Sequence, residues 1–97
     1  MADIVQSAQA RADLLRIWLY VAEDSEPAAD RLLEVIEEKI MRLAIFPEMG
    51  SPRDDIRPDL RSLTHGRYLV FYRYEPIDDQ VRILTVVEGE RDLNDLF

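Results

Sequence analysis

"RYLVFYRYE", residues 67–75, places three tyrosines, a phenylalanine and two arginines in nine positions, and the apolar run "QVRILTVVE" follows at residues 80–88. Side chains alternate along a strand, so Tyr68, Val70, Tyr72 and Tyr74 share one face and Arg67, Leu69, Phe71 and Arg73 the other. Upstream, "LRSLTHG" at residues 60–66 reads as a further strand, because His65-Gly66 and the "PIDD" of residues 76–79 both suit hairpin connections. Three antiparallel strands are expected. In the last of them Val81, Ile83, Thr85 and Val87 oppose Arg82, Leu84, Val86 and Glu88, and since neither set is clearly polar, periodicity leaves open which face is covered. The aromatic strand is expected to be core on one face. On the other, its aromatic residues with nearby arginines suit a protein-docking surface, these being side chains enriched in interface hot spots.

The first half of the chain has a different period. After a possible short strand at Ala2 to Gln6, residues 7–23 carry Leu14, Ile17, Trp18, Val21 and Ala22 at helical spacing, with Leu15 and Leu19 widening the stripe. Trp18 is expected between the helices and the sheet. "EDSEPAAD" then breaks the pattern: Asp24 or Ser25 can cap a new helix, and Pro27 suits a first turn, where no hydrogen bond is donated. Ala29, Leu32, Leu33, Ile36, Ile40, Leu43 and Ala44 continue at 3.6-residue spacing against Asp30, Glu34, Glu37, Glu38 and Arg42. The expected architecture is α+β, an antiparallel helical hairpin packed on a small antiparallel sheet. "FPEMGSPRDDIRPDL", residues 46–60, forms the one long loop, because its prolines and glycine do not sit in helix interiors.

Composition narrows the function. Ninety-seven residues fit one domain, 1–97, and there is no cysteine and only one histidine, so no metal centre or other cofactor is expected. No stretch is long enough to span a bilayer and the N-terminus lacks a signal-like pattern, which implies a soluble cytoplasmic protein without a membrane partner. A net charge of −8 argues against general phosphate-backbone binding. The charge is uneven, however: residues 51–73 hold Arg53, Arg57, Arg61, Arg67 and Arg73 against Asp54, Asp55 and Asp59. Eleven of the twelve basic residues are arginine, a choice that suits bidentate contacts to carboxylates or phosphates, whether within the chain or with a partner.

Taken in order, "ARADLLRIWLYVAED", "LAIFPEMGSPRDDIRPDLRSL", "GRYLVFYRYE" and "VRILTVVEGERDLNDLF" resemble the ParE branch of the RelE/ParE toxin superfamily over nearly the whole chain. The resemblance implies the toxin of a type II toxin–antitoxin pair, inhibited by a ParD-like antitoxin whose tail lies across the helices and extends toward the sheet. It implies DNA gyrase as target for ParE-like members and ribosome-dependent mRNA cleavage for RelE-like ones. Contact with DNA is expected only through the antitoxin. RNA cleavage needs a base for the 2′ proton, an acid for the leaving oxygen and cations for the developing charge. His65 in a turn is a weak candidate. Glu88 stands where many superfamily members have histidine, and the C-terminal "NDLF" offers neither tyrosine nor a basic residue. A non-enzymatic, binding mode of action is therefore expected, with a non-toxic antitoxin-binding module as a further alternative. Candidate partner contacts are Arg57, Arg61, Arg67, Arg73 and Arg82, with Arg91 and Asp92. The last two could equally pair with each other. Arg61, Arg67 and Arg73 are expected on one side of the sheet.

Overall fold

The computed structural model describes residues 1–89. Strand β1 (Asp3–Gln6) leads into helix α1 (Ala8–Ala22) and helix α2 (Glu26–Arg42), followed by β2 (Ser51–Pro52), β3 (Leu60–His65), β4 (Tyr68–Glu75) and β5 (Gln80–Glu88). They form an α+β fold in which the sheet order is β1-β5-β4-β3-β2. The short N-terminal strand is present, but it runs parallel to β5, which makes the five-stranded sheet mixed rather than antiparallel throughout. Inside the long loop, Ser51 and Pro52 pair with Ser62 and Arg61 and add the outermost strand.

Both helices start where their caps dictate. The Ser7 hydroxyl accepts from the Ala10 N–H and the Ser25 hydroxyl from the Ala28 N–H, which satisfies donors that have no partner within a helix. Pro27 sits in the first turn of α2, Glu26 beside it favours the helix dipole, and Lys39 and Arg42 do so at the other end. Leu14, Ile17, Ile36 and Ile40 then pack on Val70, Tyr72, Val81, Ile83 and Val86 of the sheet.

The opposite sheet face is not open at its centre. Leu60, Leu69, Phe71 and Val87 form a second buried cluster, against which Ile56 of the loop and Leu84 pack, and the Arg53 guanidinium lies 5.7 Å from the Phe71 ring centroid. The aromatic strand therefore contributes to two cores, and the docking surface expected on its second face shrinks to the margins.

Alternation fails on β5 at one place. Phe71 pairs with Thr85 but Tyr72 with Ile83, so Leu84 is an extra residue, a β-bulge. One inserted residue reverses the facing of everything beyond it. Val81, Ile83 and Val86 consequently face the helices, while Leu84 and Val87 join the second cluster, instead of the unbroken alternation expected.

A bulge strands backbone groups, and α1 satisfies them. The Ser7 hydroxyl donates to the Leu84 carbonyl (2.8 Å), and the Asp13 carboxylate accepts from the Val86 N–H (3.0 Å) and the Thr85 hydroxyl. β1 stops pairing at Ile83, so α1 takes over along the edge of β5 where β1 leaves it.

The loop after α2 is stapled from beneath. Tyr72, fully buried, donates its hydroxyl to the Pro47 carbonyl (2.9 Å) and accepts from the Gly50 N–H (2.8 Å). A Cβ on Gly50 would lie 2.6 Å from that ring, so only glycine fits. Arg61 adds bonds from its guanidinium to the Glu48 and Gly50 carbonyls, at 3.0 and 2.7 Å.

Two helical positions depart from expectation. Trp18 is half-buried on the flank of the hairpin, where its indole N–H donates to Asp30 (2.8 Å), and does not lie between helices and sheet. Leu15 and Leu19 are 58% and 54% exposed. With one sheet beneath it, α1 buries only the arc around Ala10, Leu14 and Ile17, and the widened stripe points outward. Trp18→Ala should therefore cost about 1–2 kcal/mol, below the full burial range. Tyr72→Phe should cost about 1–3 kcal/mol, because it strands the Gly50 amide in the interior. Urea unfolding monitored by circular dichroism measures both, and a loss of about 3 kcal/mol or more for Trp18→Ala would place that side chain in the core instead.

Candidate partner-binding site

Where β3 turns into β4, Gly66 adopts a left-handed conformation (φ 57°), which carries Arg67 around the hairpin and sets Tyr68 opposite His65 on one side and Glu88 on the other. Register, not sequence spacing, puts His65, Tyr68 and Glu88 in one row. Gly89 closes the row, its N–H donating to the Arg67 carbonyl (2.7 Å), with room for a Cβ only at 3.3 Å from that oxygen. Helix α1 forms the other wall. Arg16, Ile17 and Tyr20 face Arg67, Tyr68 and Glu88 across a groove of about 830 Å³.

Asp13 governs one wall of this groove. Burial by itself would push its carboxyl up, but hydrogen bonds from Thr85, the Val86 N–H, Gln9 and Arg16 outweigh that and hold it below the usual carboxylate range. Its bond to Arg16 (2.9 Å) fixes a largely exposed guanidinium at the groove rim. The Tyr68 phenol is raised, first by burial and then by the Glu88 carboxylate, with Arg67 opposing. The groove thus offers two guanidinium groups and two phenols around a single carboxylate. This combination can receive a polypeptide carrying both polar and apolar side chains.

The sequence-predicted arginines do not assemble into one patch. Arg61 is opposite Tyr72 and Arg73 is opposite Leu60, so the two project from opposite faces of the sheet, contrary to the expected common side. Arg61 is occupied within the chain, holding the Pro47–Gly50 turn and lying 3.9 Å from Glu48. Arg67 is exposed at the groove. Arg73 is exposed on β4 and lies opposite Arg82, whose guanidinium contacts Gln80 and Glu75. Arg57 is exposed on the loop. Arg91 and Asp92 lie outside the described residues. Of the seven candidates, only Arg67 lies at the groove among the described residues. Arg16, Tyr20 and Asp13 are contributions the sequence reading missed. The available signal was a carboxylate, Asp13, set inside the apolar stripe between Ala10 and Ile17. Among the described residues no cluster of three or more His, Cys, Asp or Glu is suited to a metal ion, and no helix is long and apolar enough to cross a membrane.

A two-helix hairpin on a five-stranded mixed sheet is the fold of RelE/ParE-type toxins. The structure of a chromosomal ParDE toxin–antitoxin system from P. aeruginosa superposes with a TM-score of 0.77 at 24% identity, covering 93% of this chain and 98% of that one. A chain of the RelBE2 toxin–antitoxin complex from Mycobacterium tuberculosis gives 0.68 at 23% identity, covering 90% and 96%. Sequence narrows the class: the model described as "ParE toxin of type II toxin-antitoxin system, parDE" matches residues 4–93, and this chain belongs to that family. Toxin ParE3 of Caulobacter vibrioides is 32% identical over 94 residues, spanning 96% of this chain and 92% of its own length. Toxin ParE1 of the same organism is 35% identical over 80 residues, or 80% and 82% of the two chains.

Because the Asp13 carboxyl is depressed on folding, its contribution is complete above the unfolded-state value of about 3.9 and is lost as pH falls through the lower folded-state value. Stability should therefore drop at the acid end of a series from about pH 6 to pH 3, and Asp13→Asn should lose less over that window. Asp13→Ala should cost about 3 kcal/mol at neutral pH, because the Val86 N–H and the Thr85 hydroxyl lose their acceptor. Urea midpoints measured across the series check both, and parallel curves for wild type and Asp13→Asn would remove Asp13 from the acid response.

Proposed function

We propose that this chain is the toxin of a type II pair, neutralised by a cognate ParD-like antitoxin, and that it acts by binding and inhibiting DNA gyrase rather than by cleaving RNA. Family membership supports the toxin role. Toxin–antitoxin complexes among the related structures support the antitoxin partner. The observation that carries the binding mode is Glu88. It stands in register with Tyr68 in the groove that holds Arg16 and Arg67, and its carboxylate offsets part of the positive charge that these arginines would otherwise offer a phosphodiester. The His65 side chain, on the same row, takes part in no hydrogen bond among the described residues.

The antitoxin has two kinds of surface to engage. The exposed Leu15 and Leu19 on α1 offer i, i+4 apolar anchors for a helix, and Arg67 and Arg73 offer planar donors to its carboxylates. Ribosome-dependent mRNA cleavage is the second reading, and the row of His65, Tyr68 and Glu88 is the arrangement that favours it, since it brings three titratable groups beside Arg67.

Induced without antitoxin, the chain should arrest replication and raise a DNA-damage response while transcripts stay intact at early times. In vitro it should inhibit supercoiling by purified gyrase. Early codon-positioned mRNA cleavage with unaffected supercoiling would establish the second reading instead. For the antitoxin contact, Arg73→Lys should weaken calorimetric binding of the antitoxin C-terminal peptide and Arg73→Ala should weaken it further, by about tenfold. Arg61→Ala should instead lower the melting temperature, because Arg61 holds the loop.

A further inference from the structure

The end of α2 and the turn after it carry four of the exposed large apolar side chains among the described residues. Met41 in the last helical turn, Ile45 and Phe46 just beyond it, and Met49 are 58%, 61%, 61% and 44% exposed. A hydrogen bond from the Ala2 N–H to the Ala44 carbonyl (2.8 Å) sets the exposed Met1 beside the same turn. All three methionines of the sequence lie on this segment or next to the residue that bonds it. An exposed apolar cluster on a folded monomer often marks a contact surface. Methionine also adapts its shape to an apolar partner more readily than branched side chains do.

The patch is held in place before anything binds. Successive turns join it to α2, with the Phe46 N–H bonded to the Arg42 carbonyl and the Met49 N–H to the Phe46 carbonyl. Tyr72 and Arg61 anchor the Pro47–Gly50 turn beneath. Little ordering entropy is left to lose on binding.

Charge indicates the occupant. Glu34, Glu37 and Glu38 are exposed on α2, seven, four and three residues before Met41, and so share its face. None of the three takes part in an ion pair among the described residues. Lys39 is turned away, its ammonium donating to the Thr64 carbonyl at the sheet edge (3.0 Å), and Arg31 and Arg42 are the exposed arginines of α2, one at each end of this row of three carboxylates. A row of carboxylates running into an apolar patch excludes nucleic acid and anionic lipid surfaces. It also disfavours a second copy, which would bring the same charges together.

We propose that this face receives a basic amphipathic segment of another polypeptide, with its apolar residues on the patch of Met41, Ile45, Phe46 and Met49 and its lysines or arginines along Glu34, Glu37 and Glu38. The surface is separate from the groove at Arg67, and the proposal does not depend on the target named above.

The methionines supply the readout. In the full chain carrying ¹³C at the methionine ε-methyl groups, a synthetic helix-forming peptide with leucines at i, i+3, i+4 and i+7 and lysines on its flank should shift the Met41 and Met49 resonances. The same peptide with glutamate for lysine should not. Ile45→Asp, and separately Glu37→Lys combined with Glu38→Lys, should each weaken the lysine peptide by about tenfold with unchanged circular dichroism. Equal binding of both peptides, or no methyl shift with either, would overturn the proposal. So would methyl shifts on dilution of the protein alone, since the occupant would then be a second copy.

Discussion

The bulge at Leu84 is satisfied by helix α1, and much of the molecule follows from that exchange. An extra residue in β5 turns Val86 toward the helices and Val87 away from them, which allows a short sheet to carry a core on each side. The same residue strands polar backbone groups that only a neighbouring element can satisfy. Ser7 answers at the carbonyl of Leu84, and Asp13 answers at the amide of Val86. The serine that caps α1 and a carboxylate on its buried face are thus assigned to one strand irregularity, and they fix the helix in both rotation and height over the sheet. The groove beside Arg16 and Tyr20 inherits its shape from that placement.

A desolvated carboxylate is costly unless every lone pair is engaged. Asp13 meets this condition with acceptor contacts to a hydroxyl, a main-chain amide, a side-chain amide and a guanidinium. Its role differs from that of the surface ion pairs, such as Arg53 with Asp55, which solvent largely screens. The buried site gives directional bonds to specific atoms of β5, so α1 cannot slide along the sheet without losing them. A purely apolar contact would tolerate such sliding.

The element boundaries were legible because they rest on local chemistry: Ser25 and Pro27 at a helix start, Gly66 in a hairpin, alternation along β4. What escaped reading depends on pairing across the chain. Nothing local marks Leu84 as the extra residue, since the apolar character of β5 is continuous and a shift of one position exchanges one apolar side chain for another. The parallel pairing of β1 with β5 is equally silent in "DIVQ". Leu15, Leu19 and Trp18 read as core because helical spacing reports how wide an apolar stripe is, not how much of it a single sheet can cover. At the site, Arg67 was visible as a charge beside a turn. Arg16 and Tyr20 were not, because they reach the groove only through the docking of α1. Arg61, expected as a partner contact, also holds the Pro47–Gly50 turn from within the chain, a role that composition does not carry.

The contacts joining α1 to β5 span most of the chain, with Ser7 and Leu84 separated by 77 positions and Asp13 and Val86 by 73. Closing so long a loop is entropically expensive and is rewarded only when both ends are present. During synthesis, β1 and both helices emerge well before the strand that completes them. Until β5 has left the ribosome, the amphipathic hairpin lacks Val81, Ile83 and Val86, which cover much of its apolar face. The groove needs Val86, Val87 and Glu88, so a chain translated only as far as β4 has no assembled groove to present. That interval leaves α1 and α2 accessible to any partner able to bind them before they close on the sheet.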